Sequence, residues 1–127
     1  MSYTISWYTP DKVLYLEFND TPQEKDLLDI NNYVMDVIDK YEGKLSIVIN
    51  MMKMRAGYET ANKLRDTQAY MNHPAIESAF FVTDNKLNRL ITILAFNLAR
   101  ARIVQFNDLK ITREHLSRKG FHTSLAI

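Results

Sequence analysis

Three short segments hold the side chains of this chain that could do chemistry: Asn50-Met51-Met52-Lys53-Met54-Arg55, Thr83-Asp84-Asn85-Lys86 and Asn107-Asp108. Asn50, Lys53, Arg55, Asn85 and Lys86 offer amide donors and positive charge, a set suited to an anionic ligand or an acidic protein surface. Met52, with Met51 and Met54 beside it, adds thioethers that can conform to a partner or fill gaps in a core. Asp84, Asn85 and Asp108 also have a plainer role open to them, since both residue types are favoured at turns and helix starts. Covalent chemistry has no comparable candidate. The chain contains no cysteine, which removes thiolate nucleophiles, disulfides and cysteine-held metals. His73, His115 and His122 are far apart and lack the two-histidine helical spacing of metal sites. No serine lies in a Gly-x-Ser-x-Gly elbow, and no glycine-rich loop could cradle a phosphate. The sequence therefore predicts no catalytic residue, no metal and no cofactor.

For the three segments to meet, parallel strands must carry them to one edge of a sheet, and the hydrophobic rhythm supplies such strands. Apolar runs over 45–49, 79–82 and 103–106 alternate with helical stretches, which reads as a small α/β domain. Ahead of them, Tyr3, Ile5 and Trp7 alternate with polar residues, and Thr9-Pro10-Asp11 turns into a second run over 13–18, a β-hairpin. Thr21-Pro22-Gln23-Glu24 reads as a capping box with proline at the first helical position. The helix it opens carries Leu27, Ile30, Val34, Val37 and Ile38 at helical spacing, has Asp26, Asp29, Asp36 and Asp39 on the wet side, and is closed by Gly43. Further helices are predicted over 58–71, 86–101 and 109–118, with 120–127 left as a tail that is disordered or packed on a neighbour. The expected architecture is one domain over 1–127, with about five mostly parallel strands and four helices. Val48, Phe80 and Val82 belong to its covered sheet faces.

Projection of the third helix places Leu87, Leu90, Ile91, Leu94 and Leu98 toward the core. Arg89, Ile93, Phe96 and Arg100 then form an outer stripe with an apolar centre and cationic ends, which predicts a homodimer contact. Charge is divided unevenly along the chain. Residues 1–43 hold 9 acidic and 3 basic side chains, and residues 44–127 hold 6 acidic and 13 basic ones, so the net +1 conceals balances of −6 and +7. Folding either interleaves the two halves and averages the field or leaves a basic patch near one sheet edge. The near-neutral total, with no aromatics interleaved among the cations, argues against nucleic acid. No apolar stretch approaches the ~20 residues that cross a bilayer. The N-terminus has no basic-then-apolar signal pattern, which makes the cytoplasm the expected location.

This order of elements resembles the STAS superfamily, and in particular the stand-alone bacterial members of its SpoIIAA-like and Sec14-like group, over almost the whole chain. In anti-sigma-factor antagonists of that superfamily the strand matching 45–49 runs into an Asp-Ser-Ser-Gly type segment whose serine is phosphorylated to switch partner binding. Here the matching residues are Asn50-Met51-Met52-Lys53-Met54-Arg55, without a hydroxyl group, so the switch does not transfer. The resemblance implies a non-enzymatic regulatory or protein-interaction module. The alternative is a carrier or sensor of a small anionic or lipid-like ligand. A deep apolar pocket lined by Met51, Met54 and Tyr58 would favour the carrier, and a shallow rim would favour the module.

Overall fold

The computed structural model describes residues 2–127. Its elements are β1 (Tyr3–Thr9), β2 (Val13–Phe18), α1 (Glu24–Lys40), β3 (Leu45–Asn50), α2 (Tyr58–Thr67), β4 (Ile76–Val82), α3 (Lys86–Phe96), β5 (Arg102–Phe106) and α4 (Leu109–Arg118), with a 3-10 turn at Ala69–Asn72. The strands form one sheet in the order β1-β2-β3-β4-β5, so position along the chain is also position across the sheet. β1 and β2 are the antiparallel hairpin, and each later strand joins its predecessor in parallel. The expected α/β architecture of five strands and four helices is what the chain adopts. No helix among the described residues is long and apolar enough to cross a membrane.

Sequential parallel order keeps right-handed crossovers on one side of the sheet, and α1, α2 and α3 all pack there. Leu14, Leu16, Ile47, Ile49, Ala79 and Phe81 form the sheet side of that core, against Leu27, Ile30 and Val34 of α1, Leu64 of α2 and Ile91 and Phe96 of α3. The opposite face carries Val13, Tyr15, Val48, Phe80 and Val82 and is covered by Leu116 of α4. The segment after α4 completes this second core: Phe121, Leu125 and Ile127 pack against it, and Thr9 Oγ1 donates to the carbonyl of His122 at 2.7 Å. A sheet whose second face has a single helix needs this cover, so the tail docks on its own chain.

Several boundaries differ from expectation for local reasons. α1 starts after Gln23, whose N–H donates to Asp26 at 3.1 Å, while the Thr21 hydroxyl bonds the carbonyl of Arg55 and is unavailable as a cap. Gly43 does take a positive φ of 93°, yet it serves the turn into β3, since the helix already ends at Lys40. β4 begins at Ile76, three residues before the purely apolar run, because Leu45 and Ser46 of β3 already pair with Ile76 and Ser78. α3 stops at Phe96, where Ala99 N–H turns back to the carbonyl of Phe96.

Because strand order follows chain order, the acidic α1 lies toward the β1 side and the cations from Lys86 to Arg102 toward the β5 edge, while the segment after β5 returns across the sheet, bringing Arg113 near Tyr8 and His122 to Thr9. Residues 86–107 contain Lys86, Arg89, Arg100 and Arg102 and no carboxylate. On the α4 side, His115 lies between the rings of Phe80 and Phe106, at 5.9 and 5.1 Å. Burial first, and then the charges of Lys119, Arg102 and Arg118, hold its imidazole below the ordinary histidine value.

Two measurements check this packing. Phe80 is 1% exposed, and Phe80→Ala should lower the unfolding free energy by about 3–5 kcal/mol through lost burial and a residual cavity; a loss below about 1 kcal/mol in urea would remove it from the core. A histidine that resists protonation only when folded supports stability above its unfolded value of about 6.5. Stability should therefore decline as the pH falls from there through the lower folded value and level off beneath it. His115→Gln should flatten this part of the pH profile, and an unchanged slope would assign it to another group.

Candidate functional site

The carboxyl ends of β2 to β5 and the N-termini of the four helices share one rim, as the parallel order requires. Asn50 ends β3 and is only 4% exposed. The β2–β3 register sets Glu17 opposite Asn50, and the two-residue alternation puts Tyr15 on the same face. Asn50 Nδ2 donates to the Tyr15 hydroxyl at 2.9 Å and to Glu17 Oε1 at 3.3 Å, while its Oδ1 accepts the Met52 N–H at 2.9 Å. The Tyr15 hydroxyl donates to Glu17 Oε1 at 2.8 Å, and Lys53 Nζ lies 3.6 Å from Glu17 Oε2. Burial raises the Tyr15 phenol well above its ordinary value; the Asn50 amide opposes this and Glu17 adds to it. The phenol stays protonated and acts as a donor, so the group is a closed network that fixes the end of β3. Asn50 was expected to offer its amide to a ligand, and the structure instead spends both ends of it internally.

The turn after β3 is held from α3. Asn88, 1% exposed, donates from Nδ2 to the carbonyls of Met54 at 3.0 Å and Met51 at 3.3 Å and to Thr83 Oγ1 at 3.2 Å. Thr92 Oγ1 donates to the Asn88 carbonyl at 2.9 Å and lies 3.7 Å from the Met51 sulfur. Met51 and Met54 are thereby turned into the first core, and Met52 packs half-buried against the second. Tyr58 is 65% exposed, so the pocket of Met51, Met54 and Tyr58 that would favour a carrier does not form. The void nearest to it, bounded by Met51, Gln68, Tyr70 and Phe96, measures about 10 Å³, room for a single water.

Asn85 is the N-cap of α3, accepting from the N–H groups of Leu87 at 2.9 Å and Asn88 at 3.1 Å. Asp108 caps α4 in the same way through Ile111 N–H. Lys53, Arg55 and Lys86 are exposed. The rim thus brings Lys53 to Glu17, commits Asn50 and Asn85 to the backbone, and leaves Arg55 and Lys86 as surface cations. No group of His, Asp or Glu able to hold a metal occurs among the described residues.

The outer stripe of α3 is not the expected one. Phe96 is 5% exposed and stacks on Phe81 at 5.6 Å, so it belongs to the core and cannot centre a dimer contact. Ile93 does point outward, at 52% exposure, together with Leu90 at 41% and Leu94 at 45%; Leu98, just past the helix, reaches 90%. Three of the leucines expected inside are therefore outside. Arg89 is half-buried, and Arg100 is exposed in the loop after the helix. The cause is Asn88. Turning Leu90 and Leu94 inward would carry Asn88 and Thr92 outward and leave the carbonyl of Met54 without a donor, at about 1–3 kcal/mol, while that of Met51 would keep only the Met54 N–H. It would also expose Ile91, Ala95 and Phe96, cancelling the apolar gain.

Sequence reasoning missed Tyr15, Glu17, Asn88 and Thr92. The available signal was a polar residue recurring inside an apolar pattern: Glu17 in 13–18, and Asn88 and Thr92 four apart in the most hydrophobic helix. Asn88→Asp places an acceptor where three acceptors already face it. It should lower stability by about 3 kcal/mol at neutral pH and regain part of this on acidification, when the carboxyl can donate again. Urea unfolding at two pH values reads both effects; an unchanged midpoint would show that Asn88 does not hold the turn.

Compared with protein-family models, with curated proteins and with solved structures, the chain matches none.

Proposed function

We propose that the protein is a non-enzymatic interaction module of STAS-like architecture and that it meets a protein partner through the outer face of α3. The N-terminal hairpin, the sequential parallel strands and three helices on one face support the STAS-like reading. The single observation that carries the functional reading is α3 itself, a helix that buries Asn88 and Thr92 and presents Leu90, Ile93, Leu94 and Leu98 to solvent. Contiguous aliphatic surface of this kind marks association rather than catalysis. The carrier reading has less support, because Met51 and Met54 fill the core instead of lining a cavity. A second copy of the chain is a less suitable occupant of this face than a different protein. Across a two-fold axis on this face, Lys86, Arg89 and Arg100 of one copy would face the same cations of the other.

The tagged protein is used to isolate a partner from extract, the partner is purified, and its affinity is measured by calorimetry against the wild type and two double variants. Leu90→Ser with Leu94→Ser should weaken binding at least about tenfold, or about 1.4 kcal/mol. Lys53→Glu with Arg55→Glu, on the rim, should weaken it less. Equal affinity of the leucine variant, a stoichiometric small molecule retained in native mass spectrometry, or a dimer that the leucine variant dissociates would each overturn this reading.

A further inference from the structure

β5 is the last strand of the sheet and pairs only with β4. Thr83 N–H donates to the carbonyl of Phe106, so the alternation of a parallel ladder directs 102, 104 and 106 toward β4 and turns the N–H and C=O of Ile103 and Gln105 to the open side. The two edges of the sheet differ. The β1 edge has a register shift between Trp7 and Thr9 followed by Pro10, features that blunt pairing. β5 has neither; its register with β4 is unbroken from Arg102 to Phe106, and it contains no proline.

Between β5 and α3 runs a groove of about 270 Å³, with Ile93, Phe96, Ala99, Ala101 and Ile103 giving it a mainly apolar lining, Thr92 and Asn97 interrupting it, and Gln105 lying toward α3. Gln105 Nε2 donates to the Arg89 carbonyl at 3.3 Å, which fixes that side chain on the α3 side of the strand. The opposite side of the same edge is cationic. Arg102 lies there, with Arg118 on the neighbouring α4, while the Lys119 ammonium lies one strand in, over the Phe80 ring of β4 at 5.8 Å from its centre. None of Arg89, Arg102, Arg118 and Lys119 joins an ion pair among the described residues, whose pairs are Lys53 with Glu17 and Arg65 with Asp66. One side of the edge is thus apolar and the other is positive.

An added strand would place alternate side chains on these two sides. We propose that β5 accepts, as a sixth strand, an extended segment of a partner protein in which apolar residues alternate with carboxylates. The apolar residues enter the groove against Ile93, Phe96 and Ile103, and the carboxylates face Arg102 and Arg118. The inference rests on the reading of the protein as an interaction module, but it concerns the strand edge rather than the leucines of α3. A second copy of β5 is a poor sixth strand, since it would bring Arg102 and no carboxylate.

The probe is a fluorescent nine-residue peptide alternating valine and glutamate, titrated by anisotropy. Its controls are the valine and lysine counterpart and a peptide of the same composition with the glutamates in one block. The alternating glutamate peptide should bind saturably and at least about tenfold more tightly than either control. It should protect the Ile103 and Gln105 amides from hydrogen exchange, and N-methylation on its pairing side should abolish binding. Arg102→Glu and Ile103→Pro should each weaken it at least about tenfold, while Leu90→Ser with Leu94→Ser leaves it within about twofold. Should Ile103→Pro fail to fold, the N-methylated peptide tests the same hydrogen bonds on the wild type. Absence of saturable binding, indifference to alternation, or a wild-type dimer dissociated by Arg102→Glu would overturn the edge proposal. A partner lost with the α3 leucines but unaffected by Arg102→Glu would overturn it while leaving the module reading intact.

Discussion

The three hydrogen bonds from the Asn88 amide determine how the rest of the molecule is arranged around α3. They connect the turn after β3, the turn after β4 and the first turn of α3, adding to the bond from the Met51 N–H to the Val82 carbonyl. A buried amide with three partners contributes more by avoiding loss than by net gain, since the Met54 carbonyl would otherwise be buried without a donor. The geometry also fixes the rotation of α3 about its own axis. With Asn88 aimed at Met51 and Met54, helical spacing brings Ile91, Thr92, Ala95 and Phe96 inward and leaves Leu90, Ile93 and Leu94 out. A single polar contact therefore decides which apolar residues are core and which are surface.

Strand order supplies the second constraint. A sheet in which every crossover steps to the next position preserves along its width whatever gradient the sequence carries along its length. In this chain the gradient is electrostatic, with the acidic α1 toward the β1 side and the run of cations from Lys86 to Arg102 at the other. A doubly wound order would have placed later strands on both sides of the first and folded the two halves of the charge into each other. Net charge near zero then coexists with a strong local field, which total composition does not reveal.

How far the sequence can be read follows from the same physics. The periodicities of β3, β4 and α1 are set by burial on whole faces, and Leu27, Ile30, Val34, Val48 and Phe80 are buried as their spacing requires. The rim was located through topology, and the capping by Asn85 and Asp108 was legible in it, but the role of Asn50 was not. Asn50 depends on Tyr15 and Glu17, 35 and 33 residues away. Likewise Asn88 depends on carbonyls 37 and 34 residues earlier, a relation no local window contains. For α3 the hydrophobic pattern was misleading, because the helix has apolar residues on more than one side and only tertiary hydrogen bonding selects among them. Phe96 looked external on leucine counting alone; its stacking on Phe81 requires knowing that β4 lies beneath it.

An uncovered leucine face on a protein of net charge +1 would ordinarily invite self-association. In the reading advanced for this molecule the surrounding cations oppose that outcome. Lys86, Arg89 and Arg100 lie on α3 or in the loop after it, Arg102 lies on the open strand, and residues 86–107 contain no carboxylate. Two copies approaching edge to edge bring like charges together before apolar surface can be buried, at distances comparable with the Debye length of about 8 Å at physiological salt. A partner that carries carboxylates meets the opposite sign on the same approach. One set of arginines and lysines thus discourages homotypic pairing at an otherwise unprotected edge and selects the charge of whatever replaces it. The discrimination weakens as salt screens it, so self-association and partner binding should respond to ionic strength in opposite directions.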